Sequence, residues 1–513
     1  MKGMYPSMLS AIDALLDRVT MYRLLLYYLI GLLIAAVGLS IFGDLHYNPL
    51  LIAMSALILV TGCWIANKVF AIVFDAPTNV ESTHITALIL ALIITPANSL
   101  NGVMFLLAAA GLATASKYIL AIKSKHIFNP AAIAVVLTAI GPKQTASWWV
   151  GSAVMLPFVL IGGILLVRKI QRGRTVITFF ISVILATCFY TLLAKGNIVT
   201  NLDKTLLSSA VCFLAFVMLT EPLTSPPTKA KRTWYAVLIG ALFPPQVHIL
   251  SVYSSPELAL IIGNIYAYVV SPKAKLFLRL KQKIRLTPDS VDFVYTPDRQ
   301  LSYRPGQYME WTLAHNGVDS RGNRRYFTLA SSPTEADIHL GVKFYEKGSS
   351  YKRALLTMDN QTTIVASQIA GDFVLPNDPN QKIVFIAGGI GVTPFRSMIK
   401  YLIDTNQKRI VTLLYSAKTQ QDLAYRQIFE EARQKLGIKT IYNLTDSAPN
   451  PSGLYEKPGI ITAELIKTEV PDYQERVFYI SGTHAMVVAM RTILQSLGVA
   501  HHNIKEDFFP GYA

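Results

Sequence analysis

Before residue 272 the chain is a succession of apolar runs whose interiors hold no acidic residue, at about 22–42, 49–74, 84–96, 101–115, 128–141, 148–167, 175–193, 205–220, 233–247 and 257–271. This pattern narrows the fold more than any other feature. A bilayer is crossed by a helix of about 20 apolar residues, and backbone polar groups in hydrocarbon must be satisfied within such elements. A mean hydropathy of +0.40 with 15% charged residues over 513 positions agrees, and the apolar excess stops at about residue 272. The runs at 84–96 and 233–247 are short, and read as tilted or broken helices packed inside a bundle. The expectation is a multi-helix integral membrane domain of about ten helices over 22–272. It is preceded by a segment, 1–21, in which Met4, Met8, Ile12, Leu15, Leu16 and Val19 recur at helical spacing. That segment reads as an amphipathic helix lying on the membrane surface. Asp13, Asp17 and Arg18 interrupt it, so it has no apolar core of the signal-peptide kind.

The net charge of +16 is not spread as a nucleic-acid footprint. Lys and Arg sit at the ends of the apolar runs, as in the positive-inside pattern, and suit the surface of an anionic leaflet. The loops at 116–127, 168–174 and 221–232 carry ten of them (Lys117, Lys123, Lys125, Arg168, Lys169, Arg172, Arg174, Lys229, Lys231, Arg232), and the alternate loops three (Lys143, Lys195, Lys204). With ten crossings both termini face the cytoplasm. The expected setting is a multi-pass protein of the cell's inner (cytoplasmic) membrane, with the lipid bilayer as partner and no nucleic acid.

Cys63, Cys188 and Cys212 all lie in apolar runs and form no CxxC, which excludes a zinc finger, a thioredoxin-type dithiol and a ferredoxin-type cluster. Glu257, at the entrance of a run, is the one carboxylate, and Lys68 is the one clear charge within a run. Intramembrane carboxylates usually mark a coupled ion path, so ion pumping is left open. Lys68 either snorkels or faces a bound ring. Residues 73–96 and 222–245 align at an offset of 149, pairing Pro77 with Pro226, Ala87 with Ala236 and Pro96 with Pro245. Each is a Pro/Thr-rich loop opening a short apolar run that ends at Pro. Paired interrupted segments of this kind point to a buried ligand site; two similar loop-to-helix entries with no ligand are the plain alternative.

After residue 276 the pattern changes. Short alternating strands such as KQKIRLTPDSVDFVYTP predict an antiparallel β-barrel over 276–378. From 381 to 513 strands alternate with helical stretches, which predicts a doubly wound α/β domain. Four motifs carry chemistry. In Arg325-Tyr326-Phe327-Thr328 an extended strand sends Arg325 and Phe327 to one face and Thr328 to the other, a cation, a ring and a hydroxyl of the kind a flavin dinucleotide needs. Gly348, Ser349 and Ser350 form a turn into a helix, whose N–H groups favour a phosphate or accept a plain cap. In AGGIGVTPF, Gly389 and Gly391 let the backbone approach a pyrophosphate and Pro394 starts a helix. Ser481, Gly482 and Thr483 stand at a strand end before another helix, where ligands bind in such sheets.

Together, in this order, the motifs of 276–513 resemble the ferredoxin–NADP reductase superfamily. That resemblance implies an FAD domain at 276–378 and an NAD(P) domain at 381–513. Arg325, Phe327 and Thr328 match the FAD motif, and Gly306, Gln307 and Tyr308 match the strand before it. Lys343, Gly348, Ser349 and Ser350 match the pyrophosphate segment, and Gly389, Gly391, Thr393 and Pro394 the dinucleotide loop. It puts Thr328 and Ser481 nearest the hydride path as catalytic candidates, although the family often has Cys where Ser481 stands. Phe508, Phe509 or Tyr512 would supply a terminal aromatic lid. For the first half, VFDAPTNVESTHITALIL, HIFNPAAIAVVL and MLTEPLTSPPTKAKRTWYAVLIG resemble a membrane component of the sodium-pumping NADH:quinone reductase and its relative in the Rnf complex. Asn129-Pro130 and Glu221, Pro222, Thr224 and Pro226 carry the match. The resemblance implies a flavin in the membrane domain, often FMN esterified to a threonine. Here WWVGSAVMLP, residues 148–157, offers Ser152 and Val154 but no threonine, so the expectation is a non-covalent FMN or riboflavin.

The reading is an FAD-dependent oxidoreductase that takes electrons from NADH or NADPH and passes them to a flavin, a membrane quinone or another electron-transport subunit. The alternative is a transporter or channel whose flavin module senses NAD(P)H. A haem reductase needs facing pairs of membrane histidines, and His46, His84, His126 and His248 lie at segment ends. Between the two nucleotides, Ser416, Lys418 and Arg426 leave the choice open.

Overall fold

A computed structural model describes residues 12, 15–16, 19–74, 80–122, 125–141, 143–207, 210–249, 252–271, 275–319, 321–346, 348–446 and 455–509. The chain divides into two compact units, Met1–Ala274 and Lys275–Ala513. Most of the expected surface helix at 1–21 lies outside the described residues.

The first unit is helical: α1 (Met21–Ile41), α2 (Pro49–Val73), α3 (Val80–Ile93), α4 (Leu100–Ile119), α5 (Pro130–Ile140), α6 (Leu156–Ile170), α7 (Gly173–Leu193), α8 (Ile198–Leu207), α9 (Val211–Phe213, continued by a π-helical turn Leu214–Met218), α10 (Lys229–Leu242) and α11 (Pro256–Val270). Short hairpins, β1–β2 (Ala121–Ile122, Lys125–His126) and β3–β4 (His248–Ile249, Val252–Tyr253), punctuate it. The starts are written in the sequence. Asn48, Asn129 and Ser255 each cap a helix whose next residue is proline, the position where a missing N–H costs nothing.

Every expected run contains helix, but the ten crossings are not all of spanning length. Among the described residues α1, α2, α4 and α7 are long and apolar enough to cross, and α8 with α9 would make a fifth if that pair, bent by 54°, is one span. Length separates the two sets, and two of the remaining segments differ in burial as well. The four long helices turn large apolar side chains such as Ile34, Leu57, Ile177 and Leu185 outward, as a lipid-facing surface requires. Ile85–Ile94, at α3, and Ala210–Thr220, around α9, are buried all round, the mark of a helix enclosed by others. Both ends of α3 and α10 stand 149 residues apart, the offset of the sequence repeat. Lys68 is exposed, with its ammonium 3.9 Å from the centre of the Trp64 ring, so it lies on an outward surface and not against an internal ligand.

The second unit opens with a six-stranded antiparallel sheet of order β8-β7-β10-β5-β6-β9. Its strands are β5 (Leu276–Thr287), β6 (Ser290–Pro297), β7 (Tyr308–Thr312), β8 (Arg324–Thr328), β9 (Ile338–Lys343) and β10 (Thr363–Ala370). Alternate residues such as Leu278, Phe293, Trp311 and Leu340 fill one core with Tyr351 and Leu355 of α12 (Ser350–Thr357). In that strand order β8 and β9 are the two edges, so the expected barrel is an open half-barrel.

A second sheet follows, of order β14-β13-β12-β11-β15-β16 and parallel throughout. Its strands are β11 (Ile383–Gly388), β12 (Val411–Ala417), β13 (Lys439–Leu444), β14 (Glu456–Pro458), β15 (Val477–Thr483) and β16 (Ile504–Phe509). Near-continuous apolar strands such as IVFIAG are what a sheet covered on both faces requires. Phe385, Leu413 and Tyr479 face α13 (Thr393–Asp404) and α14 (Arg426–Leu436), while Val384, Leu414 and Ile480 face α15 (Ala463–Glu469) and α16 (His484–Ser496). The two sheets are tied together: Arg396 of α13 forms an ion pair with Glu335 and donates to Ala330 O at 3.0 Å, and Ser397 Oγ donates to Ser331 O at 2.5 Å.

Candidate functional site

In the second unit the chain winds outward from β11 through β12, β13 and β14, then returns to place β15 on the other side of β11. Such a reversal opens a crevice beyond the carboxyl ends of the two strands. Gly388–Val392 and Ser481–Thr483 meet there, with Ala387 opposite Ser481 in register. Gly389 has φ +52° and open space where a Cβ would lie, so this turn needs glycine for its backbone and leaves room beside it. Gly391 is required by proximity: a Cβ there would lie 2.7 Å from Ser481 O. Thr393 Oγ1 donates to Ile390 O at 3.2 Å, Pro394 sits in the first turn of α13, and Thr483 caps α16. β9 reaches this turn, because a Cβ on Gly341 would lie 2.8 Å from Thr393 Cγ2.

On the half-barrel, β8 pairs with β7, placing Thr328 opposite Tyr308 and Phe327 opposite Met309. Arg325 and Phe327 share a face and both approach Tyr351, at 5.1 and 6.0 Å. Tyr326 lies on the other face, edge-on to Tyr308 at 5.8 Å and donating to Glu310 Oε2 at 2.8 Å. The Thr328 and Ser481 hydroxyls are both buried, with no hydrogen-bond partner among the described residues. A buried hydroxyl left unsatisfied costs about 1–3 kcal/mol, and two at expected reaction positions fit a ligand that bonds them.

Around the start of α12 the cations converge. Lys343 pairs with Asp289 at 2.7 Å, and Lys352 Nζ donates to Lys343 O at 2.8 Å. Burial, then the charges of Arg325, Arg321 and Lys343, pull the Lys352 ammonium down to about 8. The serines of the turn serve the helix itself. Ser349 Oγ accepts from Lys352 N at 3.3 Å, and Ser350 N donates to Asp319 Oδ2 at 2.9 Å. Burial works against the Asp319 carboxylate, but hydrogen bonds from Ser350 and Arg321 hold it at about 2. Gly348 O accepts from Arg353 at 2.6 Å. The turn is therefore capped within the chain, and the basic side chains around it are what remain for a phosphate.

Asp507 carried no sequence signal of its own, lying beside Lys505 and Glu506 near the C-terminal end of the sequence. It stands opposite Ser481 across β15–β16, half-buried, and desolvation pushes its carboxyl up to about 7. Phe509 pairs with Thr483 through the backbone; its side chain, that of Phe508, and Tyr512 lie outside the described residues.

The first unit holds a partly open recess. Ile85, Ile89, Leu166 and Val217 line it, with Asn129 and Glu221 among its polar walls. Asn129 Nδ2 donates to Glu221 Oε2 at 2.9 Å, Thr224 Oγ1 to the same oxygen at 2.8 Å, and Asn129 N to Asn264 Oδ1 at 2.9 Å. The loops before α5 and after the π turn are thus locked at one wall. Elsewhere in the unit Trp148 Nε1 donates to the buried Glu257 at 3.0 Å, and the Ser152 hydroxyl is buried with no partner among the described residues.

Residues 147–271 match the NQR2, RnfD, RnfE family, and residues 385–492 match the oxidoreductase NAD-binding domain. A flavohemoprotein of Bacillus cereus (strain ATCC 10987 / NRS 248) is 30% identical over 220 residues, covering 40% of this chain and 53% of the relative. A glycine betaine monooxygenase reductase subunit of Chromohalobacter salexigens is 24% identical over 238 residues, covering 45% and 63%. The chain spans about half the length of the first curated relatives it matches. Among solved structures, the flavohem-like FAD/NAD binding domain of nitric oxide dioxygenase from Vibrio cholerae O1 biovar El Tor aligns with 22% identity and a TM-score of 0.41, covering 45% of this chain and 98% of that one.

Proposed function

Because the chain joins a membrane domain of the NQR2/RnfD/RnfE family to a ferredoxin-reductase-like FAD and NAD(P)H oxidoreductase module, we propose that it oxidises a reduced pyridine nucleotide and delivers the electrons to an acceptor, a flavin or a quinone, held by its membrane unit. The observation that carries the reading is the meeting of the Gly389–Gly391 turn with Ser481 at the strand reversal, where the buried Ser481 hydroxyl lacks a partner among the described residues.

The residues divide the work as follows. Arg325, Lys343 and Lys352 hold the FAD pyrophosphate, and Phe327 and Tyr308 pack against its ring system. Gly389, Gly391, Thr393 and Pro394 seat the nucleotide pyrophosphate at the start of α13, while Gly482 and Thr483 close the crevice. Ser481 and Thr328 orient the reacting rings by hydrogen bonds, which is a contribution of proximity. Bound FAD supplies hydride acceptance and single-electron release. In the membrane unit the recess walled by Asn129 and Glu221 is the seat of the acceptor. The setting is the cytoplasmic membrane, with the module in the cytoplasm, in keeping with the basic loops and the location of NAD(P)H.

Purified full-length protein in detergent tests this. It should carry extractable flavin, lose flavin absorbance on addition of reduced nucleotide, and regain it with a quinone acceptor. Absence of flavin, or flavin that the nucleotides leave oxidised, overturns the proposal.

A further inference from the structure

Reacting atoms must stand about 3–3.5 Å apart, and a misplacement of about 1 Å can cost about 10²-fold in rate. Whatever sets the approach of the two ligand-bearing layers therefore bears on the chemistry. Resting on the reading of the C-terminal module given above, we propose that Gly341 and His339 of β9 are positioning residues, which fix how closely the FAD-bearing half-barrel approaches the glycine turn at 389–391.

β9 is the strand that joins the two ligand regions. Alternate residues of a strand share a face, so His339, Gly341 and Lys343 point one way, while Ile338, Leu340 and Val342 fill the half-barrel core. Lys343 belongs to the cationic cluster around the start of α12. Two residues back, Gly341 meets the nucleotide side. A Cβ there would lie 2.6 Å from Tyr425 Oη, 2.8 Å from Thr393 Cγ2 and 3.3 Å from Ile390 Cδ1. The backbone at Gly341 is ordinary paired strand, so glycine is needed there for space and not for its conformational freedom.

Two residues further back, His339 ties the strand to α13, the helix into which the glycine turn opens. Its Nδ1–H donates to the buried Asp292 carboxylate at 2.7 Å, and its Nε2 lies 3.9 Å from Glu335 Oε1. That same oxygen accepts from Nη2 of the buried Arg396 of α13 at 2.9 Å. Asp292 stands opposite Gly341 in register. Tyr425, at the head of α14, completes the group. It holds φ +59°, which a bulky residue rarely adopts. Its ring lies 5.6 Å from the Arg396 guanidinium, and its hydroxyl is buried against Gly341. Removing one partner from a buried charged network leaves an uncompensated charge, so the two layers are held to one spacing. These side chains act through the separation of strand and turn.

The test uses the full-length protein in detergent and the rate of flavin reduction at saturating reduced nucleotide. Gly341→Ala drives a Cβ into Tyr425 and Thr393. It should slow that rate at least about tenfold, with FAD content and the KM for nucleotide within about threefold of the parent. Adding Tyr425→Phe removes one of the two obstacles and should restore the rate several-fold. His339→Leu should slow reduction in the same way, while His339→Asn, which keeps a donor for Asp292, should restore most of it. In the same preparations without nucleotide, amide hydrogen exchange across 338–343 should be faster in Gly341→Ala and return toward the parent in the double variant. Should the His339 variants fail to fold, the Gly341 series decides. A rate for Gly341→Ala within about twofold of the parent, a loss that Tyr425→Phe leaves unchanged, or a loss matched by loss of FAD overturns the assignment and leaves the electron-transfer reading intact. Flavin that both nucleotides leave oxidised in the unaltered protein overturns both.

Discussion

Ser481 and Asp507 face each other in register across the parallel pair β15–β16, a buried hydroxyl with no partner among the described residues beside a carboxyl that desolvation raises to about 7. Because the folded value lies above the unfolded one, near 4, the folded chain binds more protons between those limits. The contribution is full below about pH 4 and is lost as pH rises through about 7. Asp507→Asn should remove this slope, so the variant gains thermal stability relative to the parent as pH goes from 5 to 8. Parallel melting curves for the two proteins across that range would contradict the placement.

Lys352 gives the opposite case. Its ammonium is lowered to about 8 by burial and by neighbouring cations, so near neutral pH it is charged and above about 9 largely neutral. A phosphate bound beside it favours the charged form. FAD affinity, followed by flavin fluorescence, should therefore fall about tenfold between pH 7 and 10. Lys352→Gln should bind FAD more weakly at pH 7 and show a flat profile.

Two glycines of one turn should behave differently. Gly391→Ala drives a Cβ to 2.7 Å from Ser481 O, a backbone contact that cannot yield cheaply. Gly389→Ala meets no atom and carries the strain of φ +52°, of order 1–2 kcal/mol. Gly391→Ala should raise the KM for nucleotide by at least about tenfold with FAD content retained, and Gly389→Ala should do so by less. Equal effects would mean that the contact with Ser481 does not shape the site.

In the membrane unit Asn129 caps α5 and donates to Glu221. Asn129→Ala removes both, at about 1 kcal/mol for the cap and 1.5–3 for the bond to a carboxylate. The purified variant should melt lower in detergent and lose any flavin or quinone that co-purifies with the membrane unit, while FAD of the module is retained. Unchanged melting and unchanged ligand content would detach this pair from the recess.

Much of this was legible in the residues. The long runs of α1, α2, α4 and α7 announce themselves because each needs one continuous lipid-facing surface. The shortness of the 84–96 run marked α3 as a helix packed inside the bundle, but the segment through α9 was read as a crossing, since a helix buried on every side has no periodicity to separate it from a spanning one. Two-residue alternation was enough to put Arg325 and Phe327 on one face of β8. The serines of the 348–350 turn were ambiguous, because cap and phosphate use the same N–H groups, and only the position of Asp319 shows what holds them. Asn129 and Glu221 lie 92 residues apart, and Glu456 reaches Arg426 over 30. No local spacing encodes such pairs. Asp507 is visible only once β16 is known to lie beside β15.

The central claim is direct reduction of a flavin in the C-terminal module by pyridine nucleotide. An anaerobic titration of the full-length protein with NADH, followed in the visible flavin band, tests it most directly. The account predicts bleaching that is complete at about one equivalent of NADH per two-electron acceptor present. A flavin spectrum that excess NADH and excess NADPH both leave unchanged would contradict it.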